Sequence, residues 1–260
     1  MRMSDKQIKS QNNIRKRIAI TGANGVVGRA LRKHLDEAYD IVSIDLPDIN
    51  ILTDHNKLVR ALTGSEAIVH LAEVFETVDD GKDHWQSPHR DERSEMLLTA
   101  TLTAAKQAGV NKFIHASSIH VEDTMGHLRS EDATQLHATP GEFSTQPASG
   151  YGHSKREQEA TLESESHHFK GGAVSIRLGG VRPDNLPLGH DDHPDPEVVA
   201  HEQKVWIEHS ELADLVGRII EYEQPIGYDV VYAVSDNDGK FHDTDNKYGW
   251  HPTANSADSL

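Results

Sequence analysis

The chain contains no cysteine. That absence excludes disulfides, thiolate nucleophiles and cysteine-ligated metals, and it suits a reducing compartment, so the expected location is cytoplasmic. There is no run of about 18 apolar residues, so no membrane-spanning helix is expected. Residues 1–15 are polar and lack the apolar stretch of a secretory signal; they read as a flexible extension before the first strand. Basic residues are in deficit: 26 Lys and Arg stand against 42 Asp and Glu, giving a net charge of −16. Nucleic acid and anionic membranes are therefore poor partners. The 18 histidines invite a metal, but none has the H-E-x-x-H spacing. The local groups His84/His89, His167-His168 and His190/His193 sit in polar sequence, and no metal is expected.

What the chain does have is an apolar strand, Arg17-Ile18-Ala19-Ile20, running into Thr21-Gly22-Ala23-Asn24-Gly25-Val26-Val27-Gly28 and then a helical pattern. Glycines at 22, 25 and 28 allow a tight turn, a close approach to a pyrophosphate and close packing of the following helix. The helix N-terminus offers N–H groups and a positive dipole end to phosphates. The next apolar strand, Ile41-Val42-Ser43-Ile44, ends in Asp45. That acid follows Gly22 by roughly 20 residues, the spacing of a carboxylate that binds adenosine ribose hydroxyls. It would repel a 2′-phosphate, so the expected cofactor is NAD rather than NADP.

Strand and helix patterns alternate along the rest of the chain. The spacing predicts a helix over 54–62, a strand over 67–72, a helix over 94–108 and a strand over 112–116. It then predicts a helix over 151–169, a strand over 173–178, a helix over 210–222, a strand over 229–234 and a last helix over 241–249. Polar stretches at 76–90, 122–149 and 182–197 read as loops. The first and last of these are expected to form a substrate mouth that orders when ligand binds. No internal repeat is present. The expected fold class is α/β: a Rossmann-like, doubly wound parallel sheet within a single domain, 16–260. A small C-terminal portion, mainly 182–228 and 236–260, would bind substrate.

Tyr151 and Lys155 stand at i and i+4, on one face of their helix, one turn apart. A lysine cation beside a phenol favours the phenolate and draws down a pKa that starts near ~10. A phenolate can take a proton from a substrate hydroxyl as hydride leaves for nicotinamide. Ser118, just after the strand Phe113-Ile114-His115-Ala116, lies at the end where open parallel sheets bind ligands. Its hydroxyl can hold the reacting oxygen, although the adjacent Ser117 competes for that role.

With this trio in place, the chain resembles an extended short-chain dehydrogenase/reductase of the NAD-dependent epimerase/dehydratase superfamily. The landmarks are T-G-A-N-G-V-V-G (21–28), Asp45, V-H-L-A (69–72), A-S-S-I-H-V (116–121), Y-G-H-S-K (151–155) and I-R-L-G-G-V-R-P (176–183). The finer resemblance is to uronate dehydrogenases and related NAD-dependent sugar-phosphate dehydrogenases, through Ser-Ser-x-His-Val, Trp206 before Ser210–Leu215, and the C-terminal Val231–Asn237 and Tyr248–Pro252. It implies Ser118, Tyr151 and Lys155 as catalytic residues. It implies a cofactor set of Gly22, Asn24, Gly25, Val26, Val27, Gly28, Asp45, Leu52, Leu71, Ala72, Glu73, Lys155 and Val181. It implies a substrate set of Ser118, Ile119, His120, Tyr151 and Gly180. The chain departs from that branch at Ile119 (usually Asn), at Phe75 and Gly180 (usually Ser), and at Ile51-Leu52 (usually Asp-Ile). No clear counterpart of the carboxylate-gripping arginine lies in 182–197, although Arg182 is nearby.

The expected activity is therefore NAD-dependent oxidation of a hydroxyl, at the anomeric carbon, of a sugar, sugar phosphate or sugar acid. A small epimerase or carbonyl reductase is the alternative among enzymes. A non-catalytic NAD sensor is the alternative of another class, and the intact trio counts against it. The expected partners are a small carbohydrate and further copies of the chain.

Overall fold

Residues 18–20 are completely buried and alternate between two sides of a sheet. The computed structural model describes residues 15–74, 87–130 and 134–260, so the extension read at 1–15 falls almost wholly outside the described residues. Six strands run parallel: β1 (Arg17–Thr21), β2 (Asp40–Ile44), β3 (Ala67–His70), β4 (Lys112–Ser118), β5 (Gly172–Leu178) and β6 (Tyr228–Ala233). Their order is β2-β1-β3-β4-β5-β6. The helices between them are α1 (Val26–Leu35), α2 (His55–Leu62), α3 (Arg93–Ala108), α4 (Thr124–Arg129), α5 (Gly150–Glu165), α6 (Pro196–Val205) and α7 (His209–Glu221). This is the expected doubly wound parallel sheet.

Each face of the sheet carries its own core. Ile18, Ile20, Val69 and Val174 pack with Leu31 and Leu35 of α1 and Leu212, Val216 and Ile219 of α7. Ala19, Ile68, Phe113 and Ala173, their neighbours in sequence, pack on the other side with Leu58 of α2, Leu98 and Leu102 of α3 and Leu162 of α5. Apolar residues on both faces are what a parallel sheet between two helical layers requires. A third cluster (Ile119, Leu136, Val205, Tyr232 and Val234) sits where β4 and β6 end.

The chain leaves β1 towards β2 on one side and returns to β3 on the other. That switch opens a crevice at the C-terminal edge of the sheet, where such folds bind ligands. Past β5 the chain stays paired. The Gly180 N–H donates to Val205 O (2.8 Å), the Ile207 N–H to Gly180 O (3.2 Å) and the Ser235 N–H to Trp206 O (3.0 Å). The end of α6 is thereby stitched to the edge of the sheet.

Three expectations need correction. Residues 241–249 form no helix: the Asn246 side chain accepts the Tyr248 and Trp250 N–H groups and Gly249 has φ +69°, while Leu136 bridges to His242. Asx turns have outcompeted the helix there. Within 122–149, α4 forms with Asp123 accepting the Gly126 N–H at 2.9 Å. The polar 182–197 stretch ends in α6, whose Asp195 cap and first-turn Pro196 are an N-terminal signal legible in the sequence. In the rest of that stretch the Asn185 amide donates to Glu208 at 2.7 Å and Leu188 O accepts from the Gln203 amide at 2.8 Å. Of the other expected mouth segment, 76–90, only 87–90 lie among the described residues.

Candidate active site

The turn after β1 is built around missing side chains. Gly22 has φ +65°, and a Cβ on it would stand 2.9 Å from the backbone of Leu71 and Ala72. A Cβ on Gly28 would stand 2.5 Å from Gly22 O. The loop is thus pressed between β3's end and the first turn of α1. Gly25 caps α1 with no side-chain hydrogen bond, which leaves the helix N-terminus open towards the crevice. This cradle fits the pyrophosphate of a dinucleotide. Asp45 accepts the Asn24 N–H and the Leu46 N–H, both at 2.8 Å, which fixes its carboxylate beside the loop.

A cavity of about 460 Å³ runs from this loop to the ends of β4 and β5. It is lined by Gly22, Gly25, Val26, Val27, Gly28, Leu71, Glu73, Ser118, Ile119, His120, Tyr151, Lys155, Gly180 and Val181, all expected from sequence. Asn24, Asp45 and Ala72 do not line it but adjoin the loop, Ala72 through its N–H to Thr21 Oγ1. Leu52 is not brought there. The turn at 51–53 leaves it 39% exposed, its N–H held by Asn50 Oδ1.

Ser118, Tyr151 and Lys155 converge at the far end of the cavity. Ser118 is the last residue of β4, and its Oγ accepts the His120 N–H at 3.1 Å and bonds the Tyr151 phenol. Ser117 does not compete, because its hydroxyl donates to buried Glu159 at 2.5 Å. Tyr151 sits in the first turn of α5. That turn can approach because Gly152 has no side chain: a Cβ there would meet His120 O at 2.1 Å. Lys155 Nζ lies 5.7 Å from the Tyr151 ring centroid. The same ammonium donates to Ala116 O at 2.8 Å and to Glu73 Oε2 at 2.6 Å, both side chains of the ion pair being buried.

This pairing alters the expected electrostatics. Burial pushes the Tyr151 phenol up; the Lys155 cation pulls it down, the Glu73 carboxylate pushes it up again, and the Ser118 hydrogen bond lowers it. The net direction is upward, not the downward shift read from the Tyr–Lys spacing alone. Burial opposes the Lys155 charge, but Glu73 and Tyr151 more than offset it, and the ammonium is held above its usual range. His70 and His115, just behind, are kept neutral by burial and by the Lys155 charge, His70 lowered to about 3.

The opposite wall carries residues that the sequence did not single out for the site, chiefly Pro183 and Glu202, with Arg182 now drawn in beside them. The Arg182 Nε is buried without a hydrogen-bond partner, Asp184 standing 3.7 Å away. Burial works against charge on Glu202, but the His201 hydrogen bond and nearby His120 and Arg182 hold its carboxyl below the usual range. The His120 ring stands 6.3 Å from those of both Tyr151 and His201. Glu202 lies on α6, which follows a polar stretch with no motif, and a Cβ on Gly180 would stand 3.2 Å from its carboxylate.

A model of the NAD dependent epimerase/dehydratase family matches residues 18–193. The chain belongs to that family. Among its relatives, an NAD-dependent glucose-6-phosphate dehydrogenase of Haloferax volcanii is 27% identical, covering 93% of this chain and 94% of its own length. The uronate dehydrogenase of Agrobacterium tumefaciens has the same fold, with a TM-score of 0.70, 21% identity, and coverage of 94% of this chain and 87% of that one. A mutant of that enzyme complexed with NAD matches with a TM-score of 0.69. NAD is the cofactor of this family, and the glycine cradle described above fits it. Among the described residues, no helix is long and apolar enough to cross a membrane, and no three His, Asp or Glu side chains are placed to hold a metal ion.

Proposed function

We propose that this family member is an NAD-dependent dehydrogenase that oxidises a hydroxyl of a sugar, sugar phosphate or sugar acid, at the anomeric carbon. The observation that carries the reading is the meeting of Ser118, Tyr151 and Lys155 at one end of a cavity whose other end is the glycine cradle. Bound NAD would supply the hydride acceptor. The open N-terminus of α1 holds its phosphates and Asp45 its adenosine ribose, while Lys155 faces the nicotinamide end. Ser118 orients the substrate oxygen, and Tyr151 takes its proton at the phenol oxygen. The upward push of burial on Tyr151 means that the phenol gives up its own proton reluctantly, so Lys155 and Ser118 must stabilise the developing phenolate.

The substrate wall suits a polyol that carries an anionic group. The Arg182 guanidinium and His120 imidazole can meet a phosphate or carboxylate, and Glu202 can accept sugar hydroxyls. The dehydrogenases among the relatives, named for glucose 6-phosphate and uronate, support this class.

A screen of aldoses, sugar phosphates and uronates for accumulation of free NADH tests the reading. An epimerase would turn over without releasing it. Tyr151→Phe is expected to retain NAD binding and to lose about 10²–10⁴-fold or more in kcat. Near-normal turnover by that variant would remove Tyr151 as the base.

A further inference from the structure

Glu73 follows β3 by three residues and reaches across the cavity floor to the ammonium of Lys155. The contact is 2.6 Å, and the two side chains are only 5% and 7% exposed. An ammonium has three donors. Here one goes to Glu73, one to Ala116 O at 2.8 Å, and the third points at Gln158 Oε1 at 3.5 Å. The lysine is therefore engaged by a full negative charge on the side of the sheet from which β3 ends.

The other charged and titratable groups around it do not play this part. His70 on β3 and His115 on β4 are neutral in their buried positions. Glu159, on α5, is committed to Arg177 at 2.9 Å and to the Ser117 hydroxyl. Glu202 and Arg182 face the site from the opposite wall, beside His201. Counting charge around Tyr151 then gives a simple contrast. With Glu73 ionised, the Glu73–Lys155 pair is neutral, and loss of the Tyr151 proton leaves a buried net charge of −1. With that carboxylate replaced by an amide, the same loss leaves a neutral phenolate–ammonium pair.

We propose that Glu73 is a positioning residue that acts through Lys155, restraining ionisation of Tyr151 and setting the pH range in which the site turns over. The proposal rests on the dehydrogenase reading for its effect on turnover, but its electrostatic core concerns the NAD-free protein. A carboxylate 2.6 Å from the lysine makes the phenol a weaker acid at rest.

The test compares wild type with Glu73→Gln, Glu73→Asp, Glu73→Ala and Tyr151→Phe. Ultraviolet difference titration of tyrosinate on the NAD-free protein gives the Tyr151 midpoint, with Tyr151→Phe as the subtracted background. Glu73→Gln and Glu73→Ala are expected to lower that midpoint by about 1–2 pH units, while Glu73→Asp, which keeps the charge, stays near wild type. In the NAD-loaded enzyme the acid limb of the kcat–pH profile should move down in parallel, with little change in the KM for sugar. If one neutral variant does not fold, the other gives the comparison. An unchanged Tyr151 midpoint in a folded neutral variant, or an equal shift in Glu73→Asp, overturns the proposal. If Tyr151→Phe turns over normally, it is the assignment of the base that fails, and the titration still reports whether Glu73 governs the phenol.

Discussion

At the scale of single residues, backbone closeness and charge decide the cofactor end. Gly28→Ala would place a methyl 2.5 Å from Gly22 O and 2.7 Å from the Ala23 backbone, and neither can yield as a flexible side chain would. The expected result is at least a tenfold loss of NAD affinity by calorimetry, with a lower thermal midpoint. Asp45, held by two backbone N–H groups, cannot swing away from a 2′-phosphate. Wild type should prefer NAD, and Asp45→Ala should bring the kcat/KM values for NAD and NADP closer together; a wild-type preference for NADP would overturn the ribose assignment. The glycines, Asp45, Ser118, Tyr151 and Lys155 were legible because each belongs to a short motif at fixed spacing. Glu202 was not, because nothing local marks it and only the return of the chain onto the sheet edge brings it there. Nor was the direction of the Tyr151 shift legible, since it depends on burial and on a carboxylate 78 positions away in sequence by simple numbering, Glu73 to Tyr151.

At the scale of elements, apolar stripes found the helices that cover the sheet, and side-chain turns hid the rest. α1 and α7 bury clear faces. α5 buries Lys155, Gln158 and Glu159 as well as Leu162, because its inner face meets both the site and the core. The end of α7 shows how one buried polar side chain completes an element. Lys112 Nζ donates to Ile219 O at 2.6 Å, Ile220 O at 2.9 Å and Tyr222 O at 2.9 Å, neutralising the negative end of the helix from the start of β4. Lys112→Met preserves the volume and leaves those carbonyls without that donor. A loss of about 1–3 kcal/mol in urea denaturation is expected, with NAD affinity unchanged. A loss below about 0.5 kcal/mol would show that water serves the carbonyls equally well.

At the scale of the whole molecule, strand alternation revealed a parallel sheet but not its order, because pairing between distant strands leaves no local trace. The fold also buries histidines that only the assembled sheet could hide. His70 is lowered to about 3, and His115 and His242 are lowered well below the usual range, burial being the first cause in each. The unfolded chain binds protons at these positions below about pH 6.5, whereas the folded protein does not. Their stabilising effect is complete above that pH and declines as pH falls towards the folded values, by about 1.4 kcal/mol per pH unit for each histidine. Urea midpoints measured from pH 7.5 to 5 should therefore fall, and His242→Phe should flatten the slope. An identical slope in that variant would remove His242 from the account. The stitching of Gly180 to Val205 and Ile207, and of Trp206 to Ser235, has a further consequence. The substrate wall belongs to the same cooperative unit as the sheet, so its amides should exchange hydrogen with solvent only when β5 and β6 themselves open. The end of α6 is therefore not free to hinge away from the sheet. On the proposed reading, selectivity is then set by the side chains this wall presents, and a change of substrate requires a change of those side chains.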